Sequence, residues 1–231
     1  MKFKGIINRI KNSYNYTTRI EKAYFAFINF IRLTLVFAMI SSIITQSWTA
    51  LFVTILVLIL TFLPYILEVS YKINLPLEFE FISVMFIYAA IFLGEVHDYY
   101  TYYWWWDIIL HGGSAITMGF VGFTIMYVLY RGKKITARPS TIATFSFSFA
   151  LAIGALWEIV EFTVDQTFGL NMQRSGLVDT MWDLILDSVG ALIASSLGYL
   201  YIKRREVFII SGVMKRFIND NPQLFKINKK R

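Results

Sequence analysis

The sequence predicts an all-α fold, a polytopic membrane helix bundle of about six transmembrane helices. Two observations carry this. The chain of 231 residues is 57% hydrophobic and 16% charged with a mean hydropathy of +0.56, too apolar for an ordinary water-soluble domain. Six apolar stretches, at approximately 24–45, 48–68, 78–96, 106–130, 140–164 and 180–202, also approach or exceed the roughly 20 residues needed to cross a hydrocarbon core about 30 Å thick.

The first stretch follows a basic segment containing Lys2, Lys4, Arg9, Lys11, Arg19 and Lys22. It is longer than the apolar core of a signal peptide and no small-residue cleavage site follows it, so a retained span is expected. The predicted organisation is a basic N-terminal segment over 1–23, a six-span membrane domain over 24–202 and a basic tail over 203–231. Orientation follows from loop charge, because basic loops resist translocation. All Lys and Arg except Arg32 and Arg174 fall in the two terminal segments or in the 69–77 and 131–139 loops, which lie on one side. A multi-pass cell-membrane protein with both termini cytoplasmic is the expectation.

Three features at the edges of the spans have plain readings. Arg32, about eight residues into its span, is expected to snorkel toward the headgroups, with an ion pair to Glu68 as the alternative. The run Tyr99-Tyr100-Thr101-Tyr102-Tyr103-Trp104-Trp105-Trp106 reads as an aromatic belt at the outer interface, and a wall for a lipid or isoprenoid substrate is the sharper alternative. The tail, with Lys203, Arg204, Arg205, Lys215, Arg216, Lys226, Lys229, Lys230 and Arg231 around the apolar 207–210, is expected to lie on anionic lipid. Membrane lipids are thus the expected partners and nucleic acid is not.

The chemistry concentrates in the outer half. Of fifteen Asp and Glu, those at Glu95, Asp98, Asp107, Glu158, Glu161, Asp165, Asp179, Asp183 and Asp187 fall in outer loops or outer portions of spans, as do His97 and His111. Asp107 and His111 are four apart, Glu158 and Glu161 three apart, and Asp179, Asp183 and Asp187 recur every four, so each set shares a helix face. His111, Glu158 and Asp187 all fall on the order of 8–12 Å below the outer boundary. Intramembrane acids face a bundle interior or watery cavity by default.

Charge balance decides what must accompany them. Asp107, Glu158, Glu161, Asp183 and Asp187 sum to five negative charges if all are ionised, and Arg174 is the one fixed cation in that half. Either several hold protons, or a cation is bound. Carboxylates with one imidazole, in a chain without cysteine, suit a divalent Mg²⁺, Mn²⁺, Fe²⁺ or Zn²⁺ ion. The expected metal ligands are Asp107, His111, Glu158 and Asp187, with Glu161 and Asp183 as candidate catalytic groups, one a further ligand or general base. Hydrolysis of a lipid or lipid-linked substrate leads; a cation or proton transporter using the same acids and a non-catalytic scaffold are the alternatives.

Neighbouring residues have milder expectations. His97 is expected in solvent, and Asp165 and Asp179 near span ends as caps or surface groups. Trp157 and Trp182, each preceding an acid, are expected to pack. Gly112-Gly113 after His111 would let a helix or ligand approach, and Gly190, Ala194 and Gly198 at four-residue intervals predict close packing of the face bearing Asp183 and Asp187.

The succession Pro76-Leu77-Glu78, Leu93-Gly94-Glu95, Trp106-Asp107 with His111, Trp157-Glu158 with Glu161, and Trp182-Asp183 with Asp187 resembles the YjdF-like family of bacterial inner-membrane proteins. The resemblance runs from about residue 60 to 202 and leaves out the first span and the tail. It implies the architecture and the site, and no reaction. The chain has no phosphate-binding loop, nucleophile elbow, zinc-protease helix or dinucleotide fingerprint.

Overall fold

The computed structural model describes residues 19–169, 171–204 and 208–225. The basic segment through residue 18, and Arg205, Val207, Lys226, Lys229, Lys230 and Arg231 of the tail, lie outside the described residues. Every regular element among the described residues is helical, and six helices are long and apolar enough to cross a membrane: Arg19–Ile44, Trp48–Tyr71, Leu77–Val96, Trp106–Arg131, Pro139–Thr167 and Leu177–Arg204. The chain divides into two compact units, Met1–His97 and Asp98–Arg231.

The first unit comprises α1 (Arg19–Ile44), α2 (Trp48–Leu60), α3 (Leu63–Tyr71) and α4 (Leu77–Ile87), which continues as a π-helix over Tyr88–Val96. Its core is Ile28, Ile31 and Leu35 of α1 against Val57, Val84 and Phe92. Other large side chains of α1, including Phe30, Leu33, Phe37 and Ile44, are exposed. Such a surface fits lipid, which is as apolar as these side chains.

The second span is broken where Pro64, lacking an N–H, forces a new start. Thr61 lies outside both helices, and its carbonyl accepts from Arg32 Nη2 at 2.9 Å. The same guanidinium pairs with Glu80 Oε1 at 3.3 Å and lies 4.3 Å from the centre of the Phe62 ring. Arg32 therefore pairs with Glu80 and Thr61 in place of the Glu68 alternative. Glu68 instead accepts the Leu75 amide at 2.6 Å and ties down the loop that follows α3.

The second unit comprises the short α5 (Tyr99–Tyr102), then α6 (Trp106–Arg131), α7 (Pro139–Phe168) and α8 (Leu177–Arg204), which pack on one another, and α9 (Phe208–Asp220). Pro139 opens α7 where no intrahelical donor is needed, and Gly169, left-handed at φ 66°, closes it with its amide on the Asp165 carbonyl at 2.9 Å. α8 buries Asp183, Asp187, Gly190, Ala194 and Gly198, the face anticipated from their spacing. At Gly190 the approach is close: an added Cβ would stand 2.8 Å from the Gly112 carbonyl oxygen and from Ala115 Cβ of α6. Gly112 and Gly113 have open space where a Cβ would point, so the small residue that contact requires is Gly190. α9 buries Met214 and Phe217, and its Met214 sulfur accepts from Thr124 of α6 at 3.7 Å, while Lys215 and Arg216 stay exposed.

Candidate metal centre

Three helices bring carboxylates to one imidazole. α6 contributes Asp107 and, one turn on, His111; α7 contributes Glu158 and Glu161 near its C-terminal end; α8 contributes Asp183 and Asp187 near its start. His111 Nε2 lies 3.6 Å from Asp107 Oδ1, 3.9 Å from Glu158 Oε1 and 3.9 Å from Asp183 Oδ1. Its other nitrogen, Nδ1, lies 3.5 Å from Asp187 Oδ1. One ring nitrogen thus faces three carboxylates and the other faces the fourth.

Burial makes this arrangement costly without a counter-charge. His111, Glu158, Asp183 and Asp187 are all buried, and Asp187 is 1% exposed. Both oxygens of Glu158 and both of Asp187 accept no hydrogen bond among the described residues. Buried polar groups are ordinarily satisfied, and an unpaired one costs about 1–3 kcal/mol, more when charged. Arg174 makes no ion pair with these acids among the described residues: its guanidinium donates to the Tyr100 carbonyl and lies 5.2 Å from the centre of that ring, from where its charge reaches Asp107.

The separations around Nε2 exceed the roughly 2.7–3.2 Å of a hydrogen bond. Ligands held about 2.0–2.2 Å from a tetrahedral ion stand roughly 3.3–3.6 Å apart; the approach of Asp107 falls at that limit, and those of Glu158 and Asp183 at 3.9 Å are longer. One ligand atom each from Asp107, His111 and Asp183 lie within 4.8 Å of one another. Imidazole and carboxylate donors, with no thiolate in the chain, form a set that a hard or borderline divalent ion accepts. Asp107, its side chain 29% exposed, is the most open member of this group.

The remaining acids divide clearly. Glu161 is buried and its Oε1 accepts the Trp157 indole N–H at 2.8 Å, an i,i+4 bond along α7. Asp165 holds the loop after α7, accepting the amides of Met172 and Gln173 at 2.7 and 2.9 Å. Asp179 sits in the first turn of α8, where an acid favours the helix dipole. In the other unit, His97 is exposed and its ring meets Phe92 edge-on at 4.8 Å.

The tryptophans depart from expectation. Trp157 is 38% and Trp182 62% exposed, so neither is packed inside the unit. In lipid an indole flank is at home on the outside, and the adjacent carboxylate takes the inward position. The aromatic run before α6 packs partly on itself, with Tyr99 5.0 Å from Trp106, and leaves Tyr102 and Trp104 exposed. Sequence reasoning overlooked two partners. Glu80 carried no signal beyond its place near the start of the third span, whereas the Trp157–Glu161 bond was readable from its four-residue spacing.

The sequence model of the family described as "Predicted membrane protein (DUF2238)" matches residues 27–204. The match takes in nearly all of the first span, which the motif resemblance left out. A protein of Thermotoga maritima described as "Uncharacterized protein" is 29% identical over 143 residues, covering 60% of this chain and 70% of the relative. No solved structure matches.

Proposed function

This chain belongs to the DUF2238 family of predicted membrane proteins, and on that premise we propose that it is a multi-pass cell-membrane protein that binds a divalent cation within its second unit. The YjdF-like resemblance is compatible with that membership. The observation that carries the reading is the ring of three carboxylate oxygens around His111 Nε2, at distances that leave room for an ion and are too long for hydrogen bonds. Asp107, His111 and Asp183 are the ligands, with Glu158 closing the set. Asp187, facing Nδ1, takes the supporting position that orients a metal-bound histidine. The sequence reading had Asp187 as a ligand and Asp183 as a catalytic group; the proposal exchanges them because the two ring nitrogens point in opposite directions.

A bound divalent ion would polarise a phosphoryl or carbonyl oxygen and acidify a bound water. Glu161, anchored by Trp157, is the base beside that centre, and Asp107 marks the open approach. The substrate class this favours is a lipid or lipid-linked ester, reached from the apolar flank of the bundle, with both termini cytoplasmic and the site facing outward.

The test is thermal. A ligand that binds only the folded state raises stability, by about 2.7 kcal/mol at a free concentration of 100 Kd. Excess Mn²⁺ should raise the melting temperature of the detergent-solubilised protein, chelator should lower it, and Glu158→Gln should shrink the difference. A purely structural polar network predicts no response to either, with Glu158→Gln destabilising. Glu158-dependent ion flux in proteoliposomes would move the assignment from hydrolysis to transport.

A further inference from the structure

Gly154 lies on α7 one turn before Glu158, on the same helix face. It is also where the α7 backbone meets Asp187 of α8. A Cβ built on Gly154 would stand 2.7 Å from Asp187 Cγ and 3.2 Å from its Cβ, and closer still to Oδ2. Carbon atoms do not approach so closely; a change of rotamer would clear Cγ only by carrying the carboxylate away from its present place, and the contact with Cβ would stay tight. Asp187 is therefore wedged, with the glycine on one side and His111 Nδ1, 3.5 Å from Oδ1, on the other.

We propose that Gly154 is a positioning residue for the cation centre: its missing side chain seats the Asp187 carboxylate against His111 Nδ1. A neutral imidazole carries one N–H, and the partner of that N–H decides which nitrogen keeps a free lone pair. At 3.5 Å no hydrogen bond is closed, but Asp187 is the carboxylate that faces Nδ1, so a proton kept on Nδ1 is directed at it and Nε2 is presented to the three others. Displacing Asp187 by a methyl group would release the ring orientation and the tautomer together. The inference rests on the metal-centre reading above.

Mn²⁺ titration of the full chain in detergent, followed by electron paramagnetic resonance, tests it. Loss of a carboxylate behind a ligating histidine weakens metal binding by roughly 10–100-fold. Gly154→Ala and Asp187→Ala should each weaken Mn²⁺ binding by that order, whereas Gly113→Ala, where a Cβ meets nothing within 4 Å, should not. Adding Gly154→Ala to Asp187→Ala should cost far less than Gly154→Ala alone, because the colliding carboxylate is gone and only the 3.2 Å contact with Cβ remains. Wild-type affinity in Gly154→Ala, or a loss that adds fully to that of Asp187→Ala, would overturn the positioning role while leaving the centre intact. If Gly154→Ala does not fold, the double variant should; its failure too would assign the glycine to helix packing alone. Absence of Mn²⁺ binding by the wild type would sink the centre itself and this role with it.

Discussion

A single side chain's partner is fixed by atoms that sequence spacing does not specify. Arg32 illustrates this: Glu68 was a natural choice because it ends the second span, yet the guanidinium goes to Thr61 and Glu80. The break before Pro64 creates the acceptor, and Glu68 is already committed to the Leu75 amide. Hydrogen bonds to charged groups contribute about 1.5–3 kcal/mol each, and Arg32 is mostly sheltered. Arg32→Met should therefore lower stability in detergent by about 1–3 kcal/mol, read by chemical or thermal unfolding. Because its cost includes stranding Glu80, adding Glu80→Gln should recover part of it. Additive losses would mean that the pair is not coupled. The same limit applies at His111. Spacing groups its neighbours by helix face, but the nitrogen each one faces depends on ring orientation, which is set by Asp187 and the gap at Gly154.

At the scale of elements, the helices were legible because lipid imposes a length and an apolarity that a run of residues displays directly. All six predicted stretches correspond to helices long enough to span. The interruptions were less visible. Pro64 signals the break in the second span, but no comparable residue announces the π-helical segment over Tyr88–Val96. Placement of the acids at one end of α6, α7 and α8 was readable from position and direction alone. The orientation of those helices in the membrane rests on loop charge and has its own test. Cysteines at Thr101 and Asn171 should react with a membrane-impermeant thiol reagent in intact cells, and one at Lys134 should not. Labelling at 134 from outside would reverse the topology and leave the geometry of the site untouched.

For the whole molecule, the chain divides at His97 and Asp98, and the spans of the first unit, at mean hydropathies of 2.0, 2.7 and 1.8, are more apolar than those of the second, at 1.6, 1.6 and 1.5. Function is unevenly shared between them. The first unit holds a sheltered cation already matched by Glu80, whereas the second gathers four acids around one histidine, with Glu161 beside them and Arg174 held on Tyr100. That imbalance is the reason for assigning a cation to the second unit, and the metal content of the purified protein tests it most directly. Full-length protein, purified in detergent from cells grown with added Mn²⁺, Fe²⁺ and Zn²⁺, should retain divalent metal stoichiometrically by elemental analysis. His111→Ala, purified alongside, should retain little. Metal absent from the wild type even after reconstitution, or present equally in both proteins, would contradict a cation centre built on His111.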